Sequence, residues 1–252
     1  MQTRKTLMIS AAAVALTMAA PSAQAASAYV SLFGGASFLQ KPGLSGTSKT
    51  HTTTYYFFKS SQSVDTSFKT GFVIGGNFGV DWGTFRTELE LAMRGNKSSK
   101  TAHLKQTYQS AVHIGTAVYT NYNGFNTSTD KNVAAKLNLY SYSLMANAWY
   151  DFHDILPHGI TPYIGGGVGL AEIQLSGSLN GAKINEKNDT VFAWQLGAGV
   201  SAPLTKSLTM FLDYRYFDAD SAALKIEPGY HGGNITADFR DHSVLVGLRI
   251  NL

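Results

Sequence analysis

The sequence predicts an all-β fold: a closed antiparallel eight-stranded transmembrane β-barrel with long extracellular loops and short periplasmic turns. Three observations predict it. An export leader opens the chain. Apolar and polar residues then alternate with a period of two in recurring segments of about ten residues. The connections between those segments are long and polar at one end, short at the other.

Composition narrows the classes first. The chain has 252 residues, is 44% apolar and only 14% charged, whereas an average soluble domain is about 25% charged. Twenty-five glycines without a Gly-X-Y period exclude collagen, and 14 Phe with 13 Tyr are too many for a disordered chain. With no Cys, neither a disulfide scaffold nor a thiolate-ligated metal site is available.

Arg4 and Lys5 are followed by an apolar run from Leu7 to Ala20, a break at Pro21, and the small-x-small triplet Ala23-Gln24-Ala25. This is the pattern of a secretory signal peptide cleaved between Ala25 and Ala26. The rival reading, a membrane anchor, needs about 20 apolar residues, and this run is shorter. Residues 1–25 are therefore read as leader and 26–252 as the barrel domain. Part of the basic surplus, 20 Lys and Arg against 16 Asp and Glu, belongs to the leader, so it implies no nucleic-acid partner. No later run reaches the roughly 18 apolar residues of a spanning helix.

The strands follow in order. Val30 to Phe38 is Gly-rich and alternates weakly. In Phe68 to Val80, Phe72, Ile74, Phe78 and Val80 oppose Lys69, Gly71, Gly75, Asn77 and Gly79. Phe85 to Met93 is clearest: Phe85, Thr87, Leu89, Leu91 and Met93 take one face, and Arg86, Glu88, Glu90 and Arg94 the other. A helix would spread these charges around its surface, whereas a strand sorts them onto two faces. Tyr140 to Phe152 sets its Tyr, Leu and Ala residues against Ser141, Ser143, Asn147 and Asp151. Ile164 to Leu170 and Phe192 to Val200 are again Gly-rich. Leu208 to Phe217 sets Leu208, Met210, Leu212, Tyr214 and Tyr216 against Thr209, Asp213 and Arg215. Finally, Val244, Val246, Leu248, Ile250 and Leu252 alternate with Ser243, Gly247, Arg249 and Asn251.

Segments 40–67, 95–136, 173–190 and 218–239 read as long polar loops, and 81–83, 153–161 and 203–207 as short turns. Whether 53–58 and 112–119 extend the barrel or add strands stays open. Prolines 42, 157, 162, 203 and 228 fall in loops or at strand ends, as a continuous ladder requires. A soluble periplasmic sandwich or lipocalin-type barrel also alternates, but with charge outside. Here the charged face is the sparse one. Aromatics fall near the strand ends: Trp82, Phe85, Tyr150, Phe152 and Tyr163 by the short turns, Phe38, Phe68, Phe192, Trp194 and Tyr216 towards the loops. Two girdles at the lipid interfaces would be placed so.

Four stretches carry a family likeness: Thr84 to Glu90, Ser143 to Phe152, Thr161 to Gly169 and Phe192 to Val200. In this order they resemble strands three to six of the small outer-membrane β-barrels, the opacity-type and OmpA-like surface antigens, especially their alphaproteobacterial branch. The chain departs from that family at its last residue, Leu252, where Phe is usual. The resemblance implies a Gram-negative cell outer membrane location and a structural, adhesive or immune-facing role. The partners expected are outer-membrane lipid and lipopolysaccharide, periplasmic chaperones, the barrel-assembly machinery, and a host or environmental ligand at the loops. The chain is expected to be monomeric.

Among candidate sites, the informative one is a charge constellation on the inward face: Lys69, Arg86, Arg94, Arg215 and Arg249, with Glu88, Glu90 and Asp213 to pair them. An eight-stranded interior is just wide enough for side chains to fill, so a salt-bridged plug is preferred over a narrow ion path or porin-like channel. A lipid A-modifying enzyme would need a nucleophile and base on one face. Its candidates, His242 and Ser243, are adjacent and point to opposite faces. His51, His103, His113 and His231 are scattered through the loops, and His153 and His158 sit on a turn, without metal-ligand spacing. Gly165-Gly166-Gly167-Val168-Gly169 is not a nucleotide-binding fingerprint. Its inward glycines leave room for long side chains of neighbouring strands. No catalytic residue, metal or cofactor is expected. Val246, Leu248, Ile250 and Leu252 form one apolar face that is expected to act as the C-terminal assembly signal.

Overall fold

Alternation in the sequence becomes a pleat with two unlike faces. Along β6 (Phe85–Ile114), Phe85, Leu89 and Leu91 point outward and are 40–65% exposed, while Arg86, Glu88, Glu90 and Arg94 point inward and are buried. The computed structural model describes residues 26–40, 44–48, 51–52, 56–114, 117–120, 127–179, 181–225 and 233–252. The leader, including Ala25 of the predicted cleavage site, lies outside these residues, as does His231.

Eight strands carry the alternating segments: β1 (Ser27–Leu39), β5 (Gly71–Asp81), β6, β8 (Thr127–Asp151), β9 (Thr161–Leu179), β10 (Ala182–Pro203), β11 (Leu208–Lys225) and β12 (Gly233–Asn251). Four shorter ones join them: β2 (Leu44–Ser48), β3 (His51–Thr52), β4 (Tyr56–Phe68) and β7 (Ala117–Thr120). Every pairing is antiparallel. The order runs β1-β5-β6-β8-β9-β10-β11-β12-β2-β4-β3, with β7 on β6 and further ladders β1–β12 and β4–β6.

This corrects the expectation of a closed eight-stranded barrel with long loops. The described residues form a twelve-stranded sheet whose path continues past β12 into β2, β4 and β3. The segments read as loops are largely strand. β6 runs for 30 residues and β8 for 25, with the pairing reaching Tyr108 opposite Thr127. Of the two undecided segments, 56–58 belong to β4 and 112–114 and 117–119 to β6 and β7. The physical reason is that Ser, Thr, Lys and His complete a ladder as well as apolar residues do. Polarity marks exposure to water, and pairing needs only backbone groups.

The short connections are built as tight turns. Asp81 Oδ1 accepts from the Gly83 amide at 2.8 Å, and Gly83 adopts φ +91°, which favours glycine. Pro157–Gly159 forms one 3₁₀ turn, and Thr205 Oγ1 accepts from the Leu208 amide at 3.0 Å.

Inside, two apolar clusters divide the space. Phe33, Val73, Ala92, Trp149, Tyr163, Phe211 and Leu245 lie in the half nearer the short turns. A larger cluster, including Leu104, Val133, Leu139, Ile173, Phe217 and Phe239, fills the extension beyond it. Two aromatics assigned to the outer girdles are in fact inside: Tyr163 is buried, and Phe68 packs on the larger cluster. Nearness to a turn does not fix which way a side chain points, whereas parity along the strand does.

Candidate functional site

The candidate site is the polar layer of the interior, built from the inward parity of β6 and its neighbours. Near the short turns, the Glu88 carboxylate accepts from the Tyr29 hydroxyl at 2.6 Å, Asn77 Nδ2 at 2.7 Å and Trp149 Nε1 at 2.9 Å. It also pairs with Arg86 at 3.2 Å. Arg86 in turn donates twice to Asp151, at 2.6 and 2.9 Å.

One step further in, Arg215 bridges two carboxylates. It donates to Glu90 through one terminal nitrogen and to Asp213 through Nε and the other, at 3.1 and 2.7 Å. The Tyr163 hydroxyl donates to Asp213. Asn147 donates to Glu90 at 3.0 Å, and Gln195 to Asn147 Oδ1 at 2.8 Å.

Arg94 forms the last level. It donates to Ser143 at 3.0 Å, approaches Asp241 at 3.8 Å, and lies 4.0 Å from the centre of the Phe217 ring. Asp241 accepts from Ser37 at 2.5 Å and from Ser243. Arg94 thus joins the polar layer to the larger apolar cluster.

The glycine row on β9 and β10 makes this layer fit. A Cβ on Gly167 would fall 1.9 Å from Asn147 Oδ1, and one on Gly199 would fall 2.3 Å from Asp213 Oδ1. Those contacts leave no room for a side chain, so the two glycines give their space to neighbouring polar groups.

The structure brings Arg86, Glu88, Glu90, Arg94, Asp213 and Arg215 together. Arg249 is buried at the short-turn side, 4.9 Å from the Tyr29 ring and 5.9 Å from the Phe211 ring. Lys69 stands apart. It is exposed, in the gap between β4 and β5, and only its carbonyl touches the layer, 3.4 Å from Asn96 Nδ2. Asp151 and Asp241 belong to the layer although the sequence reading left them out of it. Asp151 lies on the polar parity of its strand, with Ser141, Ser143 and Asn147. Asp241 shares parity with Ser243 but falls just before the expected start of the last strand.

Chemically, the layer is committed. Three buried arginines, Arg86, Arg94 and Arg215, pair with five buried carboxylates, Glu88, Glu90, Asp151, Asp213 and Asp241. Breaking such a pair strands a buried charge, at a cost of about 3–5 kcal/mol. The arrangement locks strands together from within. His242 and Ser243 fall on opposite faces: Ser243 is in the layer, while His242 is outside with Gln40 at 2.6 Å and the Tyr214 hydroxyl at 2.5 Å. Among the described residues, no three His, Asp or Glu side chains are placed to hold a metal.

On the outer face, Val246, Leu248 and Ile250 are 45–55% exposed and Leu252 is 73% exposed. They continue a zone of outward apolar residues that includes Leu32, Ile74, Phe78, Ile164, Val168, Leu196 and Leu212.

Comparison with known proteins places the chain. Outer membrane protein PagN of Salmonella typhimurium is 30% identical over 159 residues, 60% of this chain. The match spans 56% of PagN, little more than half its length. Among solved structures, Neisserial surface protein A has a TM-score of 0.45 at 17% identity, covering 91% of this chain and all of that one. OprG of Pseudomonas aeruginosa has a TM-score of 0.43 at 11% identity, covering 90% and 96%. The family described as surface antigen matches residues 27–239, so the chain belongs to the surface antigen family.

Proposed function

We propose that this chain is a non-enzymatic surface protein of the outer membrane. Its apolar outer zone sits in lipid, and its strand extensions are displayed to the surroundings in a structural or adhesive role. One observation carries the reading: the exposed and buried faces are inverted relative to a soluble protein. Large apolar side chains such as Leu32 and Leu91 are 75% and 65% exposed, while arginines and carboxylates are sealed inside. Water would penalise that outer face, and contiguous apolar patches of this kind mark membrane contact. The name of PagN and membership of the surface antigen family support the same location.

Export through cleavage between Ala25 and Ala26 belongs to this reading, as do lipopolysaccharide contact, periplasmic chaperones and the assembly machinery. A conducting pore is the less favoured reading, because the polar layer and the larger apolar cluster fill the interior in succession.

The test is membrane fractionation with a heat-modifiability gel, together with protease treatment of intact cells. The protein should enter the outer-membrane fraction, shift on boiling, and be cut within the β6–β8 extension from outside. Recovery as a soluble periplasmic protein would overturn the proposal. Steady conductance in planar bilayers would favour the pore.

A further inference from the structure

Just beyond the apolar zone, one flank of the outer face gathers lysines. Lys69, Lys97, Lys136 and Lys183 are all exposed. The Lys69 amide donates to the Lys97 carbonyl at 2.9 Å, so these two stand side by side where β4 gives way to β5. Lys97 is in register with Asn138, and Asn138 with Ser176. Further along the same face of β8, Lys136 is in register with Ser178, and Ser178 with Lys183 of β10. Residues opposite each other in a ladder share a face. Two lysine pairs therefore lie on one face, with Asn138, Ser176 and Ser178 among them.

None of the four takes part in an ion pair among the described residues. The bordering carboxylates are placed elsewhere. Asp65 is opposite His103 and Asp130 opposite Lys105, both further out along the strands. Glu172 accepts from Gln174 at 2.8 Å and from Asn188 at 3.0 Å. Along β10 the sequence adds Glu186 and Lys187, which cancel in charge. Like charges gathered this closely repel, and a counter-charge from outside the chain relieves that. The flank of β11 and β12 differs, since its Arg240 pairs with Asp218 at 3.2 Å.

Towards the apolar zone, aromatic rings take over. Gly95 precedes Lys97 on the same face and is in register with both Phe72 and Tyr140. A Cβ on Gly95 would fall 2.7 Å from each of those rings, so they close over it. Such rings mark the level where headgroups meet hydrocarbon. Below them lies a groove of about 470 Å³, lined by Ile74, Leu91, Met93, Tyr142 and Leu170 and by the already bonded Glu172. Lysine, aromatic shelf and apolar groove thus follow one another along β6, at about 6.8 Å for every two residues.

We propose that this flank seats one doubly phosphorylated lipid of the outer leaflet. The lysine pairs hold its two phosphates, Asn138, Ser176 and Ser178 donate hydrogen bonds to them, and an acyl chain lies in the groove. Lipid A has this chemistry: a disaccharide with a phosphate at each end and acyl chains below. Two strand spacings and one pleat separate Lys97 from Ser178, about 12 Å, a span on the scale of a disaccharide. Lysine meets phosphate as a point charge, and basic clusters at a membrane surface recognise anionic headgroups in this way. A free anion or an external polysaccharide would leave the shelf and the groove beneath it unused. The inference rests on the outer-membrane reading above and adds a site to it. In the sequence these lysines fall in segments read as loops or at a strand's edge, and only the strand pairing gathers them on one face.

The test uses the full chain folded in nonionic detergent micelles, titrated with bisphosphoryl lipid A and read by native mass spectrometry. A single lipid should stay bound to each chain, and monophosphoryl lipid A should bind roughly tenfold more weakly. Lys97→Gln/Lys136→Gln and Lys69→Gln/Lys183→Gln should each lower affinity by roughly tenfold or more. Lys97→Arg/Lys136→Arg should bind as wild type does. Arg240→Gln removes a charge from the balanced flank and should leave binding unchanged.

Each variant is checked by the heat-modifiability gel. Where a double variant loses that shift, the single Lys97→Gln and Lys136→Gln chains replace it, and each should show part of the loss. Equal binding of the two forms of lipid A overturns the inference. So do Gln variants that bind like wild type, or an Arg240→Gln chain that weakens as much as they do. Displacement by excess inorganic phosphate means that the lysines take a free anion, and displacement by a sulfated polysaccharide means that the partner lies outside the membrane. Either result overturns the proposal. A folded outer-membrane protein that holds no lipid A ends this inference and leaves the location intact, whereas recovery as a soluble periplasmic protein ends both.

Discussion

Arg86 and Asp151 are joined by two parallel hydrogen bonds, 2.6 and 2.9 Å long, from Nε and a terminal nitrogen to the two carboxylate oxygens. They sit on paired strands, with Arg86 in register with Trp149, so the fork fastens β6 to β8 from inside. Asp151→Ala should cost about 3–5 kcal/mol, because it leaves a buried guanidinium short of its partner. Asp151→Leu with Arg86→Met should cost less than Asp151→Ala alone. Urea unfolding from lipid vesicles, followed by tryptophan fluorescence, measures both. Losses that simply add would show that the two groups act independently.

The outer face is tested by depth. Leu89→Arg places a cation in the middle of the apolar zone, where about 2–4 kcal/mol is lost. Thr101→Arg places the same cation on an exposed position of the same strand, beyond that zone, and should be nearly neutral. Folding yields into vesicles should fall for the first and hold for the second. Equal yields would contradict the boundary.

Gly167→Ala should destabilise by about 1–3 kcal/mol. Its new methyl would meet both Asn147 Oδ1 and the Ala146 carbonyl, at 1.9 and 2.5 Å. Adding Asn147→Ala should recover only part of the loss, since the backbone contact remains. Full recovery would mean the strand spacing is softer than the register suggests.

At the other end, deleting Ile250 to Leu252 removes the pairs Val30 with Ile250 and Leu208 with Ile250. Protein should then accumulate in the periplasm. Leu252→Phe is expected to be neutral or to improve assembly, and Leu252→Asp to impair it. Fractionation with a boiled and unboiled gel lane reads all three, and normal surface levels after the deletion would remove the assembly role.

How much of this was legible depended on contrast between the two faces. Arg86 to Arg94 could be assigned a side because leucines separate the charges, so the period of two has only one reading. Lys105 and Thr107 belong to the same strand, yet their stretch is polar on both faces in sequence, and nothing there distinguishes a ladder from a loop. Only the pairing with residues such as Asp130 and Ser128 reveals it. Asp241 lies two residues before the alternation of the last strand becomes clear at Ser243. Tyr163 is legible in principle, since Ile164 is outward and its neighbour must then be inward; nearness to a turn carries no information about the side.

The ladder between β1 and β12 has a consequence for synthesis. Leu39 is paired with Asp241 and Tyr29 with Asn251, so β1 finds one of its two neighbours only when β12 has been made. Contacts of such long sequence separation make folding slow, because a large loop must close before they contribute. The same adjacency brings the start of β1 and the end of β12 together: the Leu252 amide donates to the Ala28 carbonyl at 2.9 Å. A short linker there, with new ends opened at the turn around Gly83, would give a circular permutant that keeps every ladder while exchanging which strand waits.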